Sequence, residues 1–397
     1  MKHWKRRILW QTKNNKFHYE LANATLSGIT KFSQYHQERN YDMLLIDAHL
    51  DLSMNAINGN RDLNLENSAL RKHETERKIT ESGRGRSTTT LPEMRKGEVF
   101  LSVVTVIARA THPGSNPKDA AHQEISYGRA QGQLAYYRVL EAQNKIRMIG
   151  DTQALDAHVV AWQQDADTSA EPLGFILSME GADPIVCPEQ VHAWYEDGLR
   201  VLSLSHYGIS AYAHGTGTEG GLTAKGPALL KEMEKAGIVL DLTHLADQAF
   251  DEALDNFSGR ILASHNNCRA LVPNQRQFTD EQIKAIIERD GVIGAALDAW
   301  MLYPGWIKGE TSPSVLTLAS VADHIDHVCQ LAGDTRHAAI GSDLDGGYGT
   351  EQTPGDLDTI ADLQKLGGLL RDKGYSTEDV EGIFHNNWLR FFREAWS

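Results

Sequence analysis

LLIDAHLD, residues 44–51, is a short apolar run that closes on a histidine and an aspartate two positions apart. Side chains alternate between the faces of a strand, so His49 and Asp51 emerge on the same side. Five further runs end in the same way: GFILSME in Glu180, RVLSLSH in His206, IVLDLTH in His244, ILASH in His265 and AAIGSD in Asp343. Parallel strands buried on both faces read as continuous apolar runs of this kind. In a closed α/β barrel their C-terminal ends share one rim, and that rim carries the active site. Repeated delivery of imidazole or carboxylate to such a rim predicts a metal-dependent hydrolase.

Working outward, apolar runs at 44–49, 99–107, 174–179, 200–205, 238–243, 261–264, 291–297 and 338–342 predict eight strands. Helical patterns at 117–145, 225–236, 246–256, 279–289, 316–332 and 356–373 stand between most of them. This alternation predicts a (β/α)8 TIM barrel over residues 41–397. Thr279-Asp280-Glu281 and Ser376-Thr377-Glu378-Asp379 have the form of helix starts, and Gly237 that of a helix stop. Residues 1–40 are polar and basic and are expected to form an N-terminal extension packed on or flanking the barrel. Residues 60–97 interrupt the pattern after the first strand with a polar stretch containing SGRGRSTTT and Pro92. They are expected to form a partly ordered insertion, whether a solvated loop, a lid or a dimer contact.

The 397 residues carry 39 basic and 53 acidic side chains, a formal net charge of -14. That balance argues against nucleic acid or an anionic membrane as partner, since both demand clustered positive charge. Cys187, Cys268 and Cys329 are too few and too far apart for a disulfide framework or a cysteine metal site. The apolar part of MKHWKRRILW is only Ile8-Leu9-Trp10, well short of a secretory core, and no run is long enough to span a bilayer. A soluble, cytoplasmic protein without a membrane anchor is the expectation.

A neutral imidazole beside a carboxylate suits a divalent cation of borderline softness such as zinc. His-x-Asp alone arises by chance in any chain of this size, and a lone strand-end histidine is more often a core residue than a ligand. Their joint recurrence at strand ends shifts the balance. If His49 with Asp51 holds one ion and His244 with His265 another, Glu180 can bridge them with a hydroxide, in a two-metal arrangement. Asp343 is suited to proton transfer, with Asp345 structural; His206, next to Tyr207, to a third ligand or an oxyanion donor; and Asp241 to an outer partner of an imidazole or to packing on the helix side. Arg269 or Arg276 could grip a carboxylate. Gly215-Thr216-Gly217-Thr218-Glu219-Gly220 matches a dinucleotide fingerprint, but no apolar strand leads into it, so it is read as a loop near the site mouth.

Taken together, DAHLD, SMEGAD, LSLSHYG, AHGTGTEGGLT, DLTHLA, SHNNCRALVPNQR and GSDLDGG resemble the membrane (renal-type) dipeptidase family, peptidase M19. The resemblance implies two zinc ions, one held by His49, Asp51 and Glu180 and the other by Glu180, His244 and His265. It implies substrate contact by His206 and Tyr207, a grip on the terminal carboxylate by Arg276, acid/base work by Asp343, and a homodimer. The expected activity is hydrolysis of short peptides with a free C-terminus, L-Xaa-D-Xaa dipeptides among them, by attack of a metal-bridging hydroxide. The alternatives are another C–N or ester hydrolase, such as an N-acyl amino acid deacetylase or a lactonase, or a catalytically silent peptide-binding barrel.

Overall fold

The computed structural model describes residues 43–112, 118–164 and 168–397, so the extension expected over 1–40 lies outside the described residues. Strands β1 (Leu45–Leu50), β2 (Val99–Val106) and β4 (Leu173–Met179) are buried along their whole length. That is why they appear in the sequence as unbroken apolar runs instead of alternating ones. With β5 (Leu199–Ser203), β6 (Val239–Asp241) and β7 (Ile261–Leu262) they form one parallel sheet in the order β1-β2-β4-β5-β6-β7. Strands β8 (Ile293–Ala295) and β9 (Ala338–Ile340) pair in parallel beside it.

Two connections close the ring. A parallel bridge between Ala263 and Ile293 joins β7 to β8. The chain leaving β9 returns to β1: Ser342 N donates to Asp47 Oδ1 at 2.8 Å and Asp343 N to the His49 carbonyl at 3.2 Å. The result is an eight-stranded α/β barrel at the positions the apolar runs predict. Two glycines permit the closure near β7. A Cβ at Gly294 would lie 2.1 Å from the Ser264 carbonyl oxygen, and one at Gly341 only 1.7 Å from it. Neither position accepts a side chain.

A ninth strand, β3 (Ile146–Met148), was not expected. It pairs with the first half of β4, and β5 pairs with the second half, so β3 is a short accessory outside the ring. Helices follow the strands much as the sequence patterns predict, at Gln123–Ala142, Gly226–Ala236, Asp247–Asn256, Asp280–Glu288 and Leu318–Ala332. Thr279 with Gln282, and Ser376 with Asp379, form reciprocal capping boxes. Gly237 ends its helix at φ 74°. The pattern expected at 356–373 divides into a tight 3-10 turn, Ile360–Gln364, and a helix, Lys365–Asp372. The polar 60–97 stretch is ordered, with helices Asn67–Glu76 and Leu91–Lys96. No helix among the described residues is long and apolar enough to cross a membrane.

Candidate active site

The strand-end residues converge at the C-terminal rim. Glu180 Oε1 lies 3.5 Å from His49 Nε2, 3.3 Å from His244 Nε2, 3.5 Å from His265 Nε2 and 3.8 Å from His206 Nε2. His244 Nε2 and His265 Nε2 are 3.1 Å apart. His49 Nε2 stands 4.0 Å from both Asp51 Oδ1 and Asp343 Oδ1. One carboxylate therefore sits among four imidazoles, with two further carboxylates on the His49 side. His49, Glu180, His244 and His265 are all buried.

Ligand-capable atoms gather in three overlapping sets: His49 with Glu180 and His265, Glu180 with His206 and His244, and His49 with Asp51 and Asp343. His244 and His265 both lie against Glu180, but the sets group His265 with His49 and His244 with His206. The sets also bring His206 and Asp343 within ligand range. The donors are nitrogen and oxygen only, which suits zinc or a similar borderline cation.

The electrostatics fit a cation here. Burial, and then the charge of Asp51, push the Glu180 carboxyl well above its usual range. Burial raises Asp51 to about 6 and, with the Asp51 and Glu180 charges, raises Asp343 strongly. Burial and the nearby Arg276 charge lower His49 to about 3, and burial depresses His206, His244 and His265 as well. The depressed imidazoles favour the neutral form that can ligate, while the carboxylates crowd together with Arg276 as a nearby buried cation. His49 Nε2 is buried with no hydrogen-bond partner. A divalent ion bound here would offset the crowded carboxylates and give His49 Nε2 a partner.

The other nitrogens of three of the four imidazoles are fixed from behind. Thr216 Oγ1 meets His244 Nδ1 at 2.9 Å, and Ser264 Oγ meets His265 Nδ1 at 2.9 Å and His49 Nδ1 at 3.3 Å. Thr105 Oγ1 donates to Asp51 Oδ1. None of these hydroxyls was anticipated, although Thr216 belongs to the glycine-rich loop and Ser264 adjoins His265. Asp241 touches no imidazole. Its Oδ1 accepts from the backbone N–H groups of Thr243 and Ser264, at 3.0 and 3.1 Å, and so orients the turns that carry His244 and His265. His244 and Asp343 sit at φ 70° and 58°. Left-handed backbone at a histidine and an aspartate is uncommon and clusters at functional sites.

Arg276 is buried. It donates from Nη1 to Asn266 Oδ1 and from Nη2 to the His265 carbonyl at 2.9 Å, while its Nε has no partner. Arg269 instead makes a fork to Asp247, at 2.7 and 2.9 Å, on the outer side of the loop. The Tyr207 ring lies over His206 and His244, with centroids 4.8 and 5.1 Å away, and is 41% exposed, which places it on the rim. Asp298, just past β8, is a further buried carboxylate, held at about 7 by burial. It accepts from Trp300 Nε1 and Gln352 Nε2, each at 2.7 Å.

A family model described as membrane dipeptidase (peptidase family M19) matches residues 36–397. The chain belongs to the membrane dipeptidase family. It is 32% identical over 221 residues to dipeptidase aclJ of Aspergillus oryzae, an alignment covering 54% of this chain and 50% of that protein. Dipeptidase 3 of Rattus norvegicus is 25% identical over 240 residues, 58% of this chain and 47% of its own length. The chain thus spans about half the length of these curated dipeptidases. Among solved structures, the dipeptidase AC, a family M19 metallo peptidase, matches with a TM-score of 0.72 and 24% identity, over 89% of this chain and 99% of that one. A metallo peptidase from Rhodobacter sphaeroides, liganded with a phosphinate mimic of the dipeptide L-Ala-D-Ala, matches at 0.71 and 22%, over 89% and 100%. At these identities the two structures show that the M19 fold is shared.

Proposed function

We propose that this M19 member is a binuclear zinc dipeptidase that cleaves dipeptides with a free C-terminus, including those with a D-residue at that end. The observation that carries the reading is the placement of Glu180 Oε1 within 3.3–3.8 Å of four imidazole nitrogens, one of them orphaned. His49, Asp51 and Glu180 would hold one ion, and Glu180, His244 and His265 the other. Zinc bound there would supply Lewis acidity and a water that ionises near neutral pH. The L-Ala-D-Ala mimic on the Rhodobacter sphaeroides protein supports the choice of substrate and of stereochemistry.

The chain's own residues do the rest. Arg276 offers its unpaired Nε to the terminal carboxylate, which limits substrates to those whose C-terminus reaches it. His206, whose Nδ1 is also buried and unpaired, donates to the oxygen on which negative charge develops. Asp343 carries the proton from attacking water to the departing amine nitrogen. Tyr207 covers the imidazoles from the rim and narrows the entrance. The reading includes a single barrel over 41–397, a homodimer, and a cytoplasmic place in which small peptides are the partners; the net charge of -14 supports partners other than nucleic acid or anionic membrane.

Protein purified without chelator should contain two zinc ions per chain and should turn over a stereochemically varied dipeptide library. Turnover of N-acyl amino acids or lactones in place of dipeptides would transfer the site to another hydrolytic reaction. Stoichiometric zinc without turnover of any of these would favour a silent barrel. Arg276→Met should raise KM for dipeptides by about a hundredfold, the order of one lost charge-assisted bond, with a smaller change in kcat. Dipeptide amides, which lack the carboxylate, should then be handled equally by the variant and the parent.

A further inference from the structure

We propose that the polar 60–97 segment is a buttress that positions Asp343, acting through the buried carboxylate of Asp345, with Arg61 and Thr88 as positioning residues. The inference rests on the reading of Asp343 as the proton carrier. Asp345 lies two residues beyond Asp343, and both have left-handed backbone, at φ 64° and 58°. Aspartate tolerates this backbone better than most residues, but two such residues so close together still favour a turn held by its surroundings. One side of the turn is fixed to β1, through Asp343 N and the His49 carbonyl. The other side, at Asp345, is held by the 60–97 segment and by Asn55 of the short helix Leu52–Ile57.

Asp345 Oδ1 accepts from Thr88 N and Thr88 Oγ1, both at 2.8 Å. Its Oδ2 accepts from Thr89 N at 3.1 Å and pairs with Arg61 Nη1 at 3.1 Å. Arg61 is itself held by Glu74 Oε1 through Nε at 2.9 Å and by the Gly83 carbonyl through Nη2 at 2.6 Å. Its Nη1 also donates to Asn55 Oδ1 at 2.9 Å. Asn55 Nδ2 in turn reaches the Asp51 carbonyl at 3.0 Å and the Asp345 carbonyl at 2.9 Å, tying the metal-side turn to the Asp343 turn. Further along, Thr350 N donates to the Arg86 carbonyl at 2.9 Å, and Glu351 Oε1 accepts from Gly83 N at 2.9 Å. At Gly346 a Cβ would stand 1.9 Å from Asp343 Oδ1, so the turn wraps directly over that carboxylate.

This is the construction of a support, not of a lid. Arg61, Glu74 and Asp345 are almost fully buried, and Arg84 adds a second cation to the two acids at 2.7 Å from Glu74 Oε1. Lifting the segment would leave buried charges uncompensated, whereas lids are drawn from weakly held elements. The network also reaches the Asp51 carbonyl through Asn55, so bound metal is followed beside turnover to show that the effect passes through the place the network gives Asp343.

Two substitutions test this. Thr88→Val deletes a single bond to Asp345 Oδ1, and Arg61→Lys keeps the charge but loses the fork. Dipeptide kcat should fall about tenfold and about a hundredfold respectively, as expected for a displaced catalytic group, with KM and bound metal unchanged. In an Asp343→Asn background the same substitutions should cost less than about twofold, because the residue they act through is already disabled. Equal losses in both backgrounds would overturn the proposal. Crystal structures of the two variants give an arm independent of turnover: the Asp343 carboxylate should be displaced while His49, Glu180, His244 and His265 superpose. An unmoved Asp343 would overturn the proposal as well. If Arg61→Lys does not fold, Thr88→Val carries both arms. A parent protein that hydrolyses no dipeptide would refute the proposed function, and the crystallographic arm would still decide the positioning.

Discussion

Glu180→Gln is expected to raise the melting temperature of the metal-free protein and, at the same time, to remove its stabilisation by zinc and its turnover. Glu180 is a buried carboxylate facing neutral imidazoles and the charge of Asp51, and its carboxyl is pushed well above the ordinary value of 4.5. A carboxyl whose folded pKa exceeds its unfolded one costs stability as pH rises above the unfolded value. In the metal-free protein the substitution removes that cost, and the glutamine amide can donate to an imidazole nitrogen in nearly the same volume. The advantage of the variant should vanish below about pH 4 and grow towards neutrality. With zinc present the order reverses. An ion bound at a thousandfold excess over its dissociation constant stabilises the native state by about 4 kcal/mol. A neutral amide in place of the shared carboxylate should abolish that gain and lower activity by roughly three orders of magnitude or more. Melting curves with and without zinc, beside metal analysis, read both effects. A variant that loads metal and melts like its parent under both conditions would remove Glu180 from the centre of the site.

The eight barrel strands were legible because each is buried on both faces, and burial leaves a mark that needs no partner information. The same mark located His49, Asp51, Glu180, His206, His244, His265 and Asp343, since a polar residue that ends an apolar run is conspicuous. Asp298 carried that signal too, at the end of VIGAALD, residues 292–298, and was not singled out. Strand β3 gave no such mark: it has three residues, of which only Ile146 is fully buried, and it lies outside the ring. Thr105, Thr216 and Ser264 were invisible for another reason. A hydroxyl that holds an imidazole or a carboxylate does so by position alone, and serines and threonines are common in any chain. Asp241 was assigned to the right neighbourhood but to the wrong partner, since it holds backbone N–H groups. The 60–97 stretch shows the limit of reading polarity as solvation. Arg61, Glu74 and Asp345 are charged and buried because, with Arg84, they offset one another, and Asp345 lies more than 250 residues from Thr88, its partner in the chain.

Asp343→Asn is expected to lower kcat for dipeptides by a factor of about 100 to 10,000, the usual worth of a positioned acid or base, with little change in KM and with both metals retained. The fold should survive, since asparagine is, with aspartate, among the residues that tolerate the left-handed backbone found here. The metal count is the informative half. Asp343 Oδ1 lies 4.0 Å from His49 Nε2 and belongs with His49 and Asp51 to one of the three ligand-capable sets, so the geometry admits a direct ligand as well as a proton carrier. A ligand and a proton carrier respond differently to the substitution. Asparagine cannot shuttle a proton at any occupancy, so a carrier loses turnover at full metal content and excess zinc does not restore it. A ligand loses affinity first, so turnover returns as zinc is raised. Burial and the neighbouring charges of Asp51 and Glu180 raise the Asp343 carboxyl strongly, and a cation beside it would bring that value down towards the range in which a carboxyl both accepts and releases a proton. Zinc titration of Asp343→Asn, followed by kcat and by metal analysis on the same samples, separates the two roles. Recovery of parental turnover at high zinc would reassign Asp343 to the metal and leave the leaving amine to be protonated by another group.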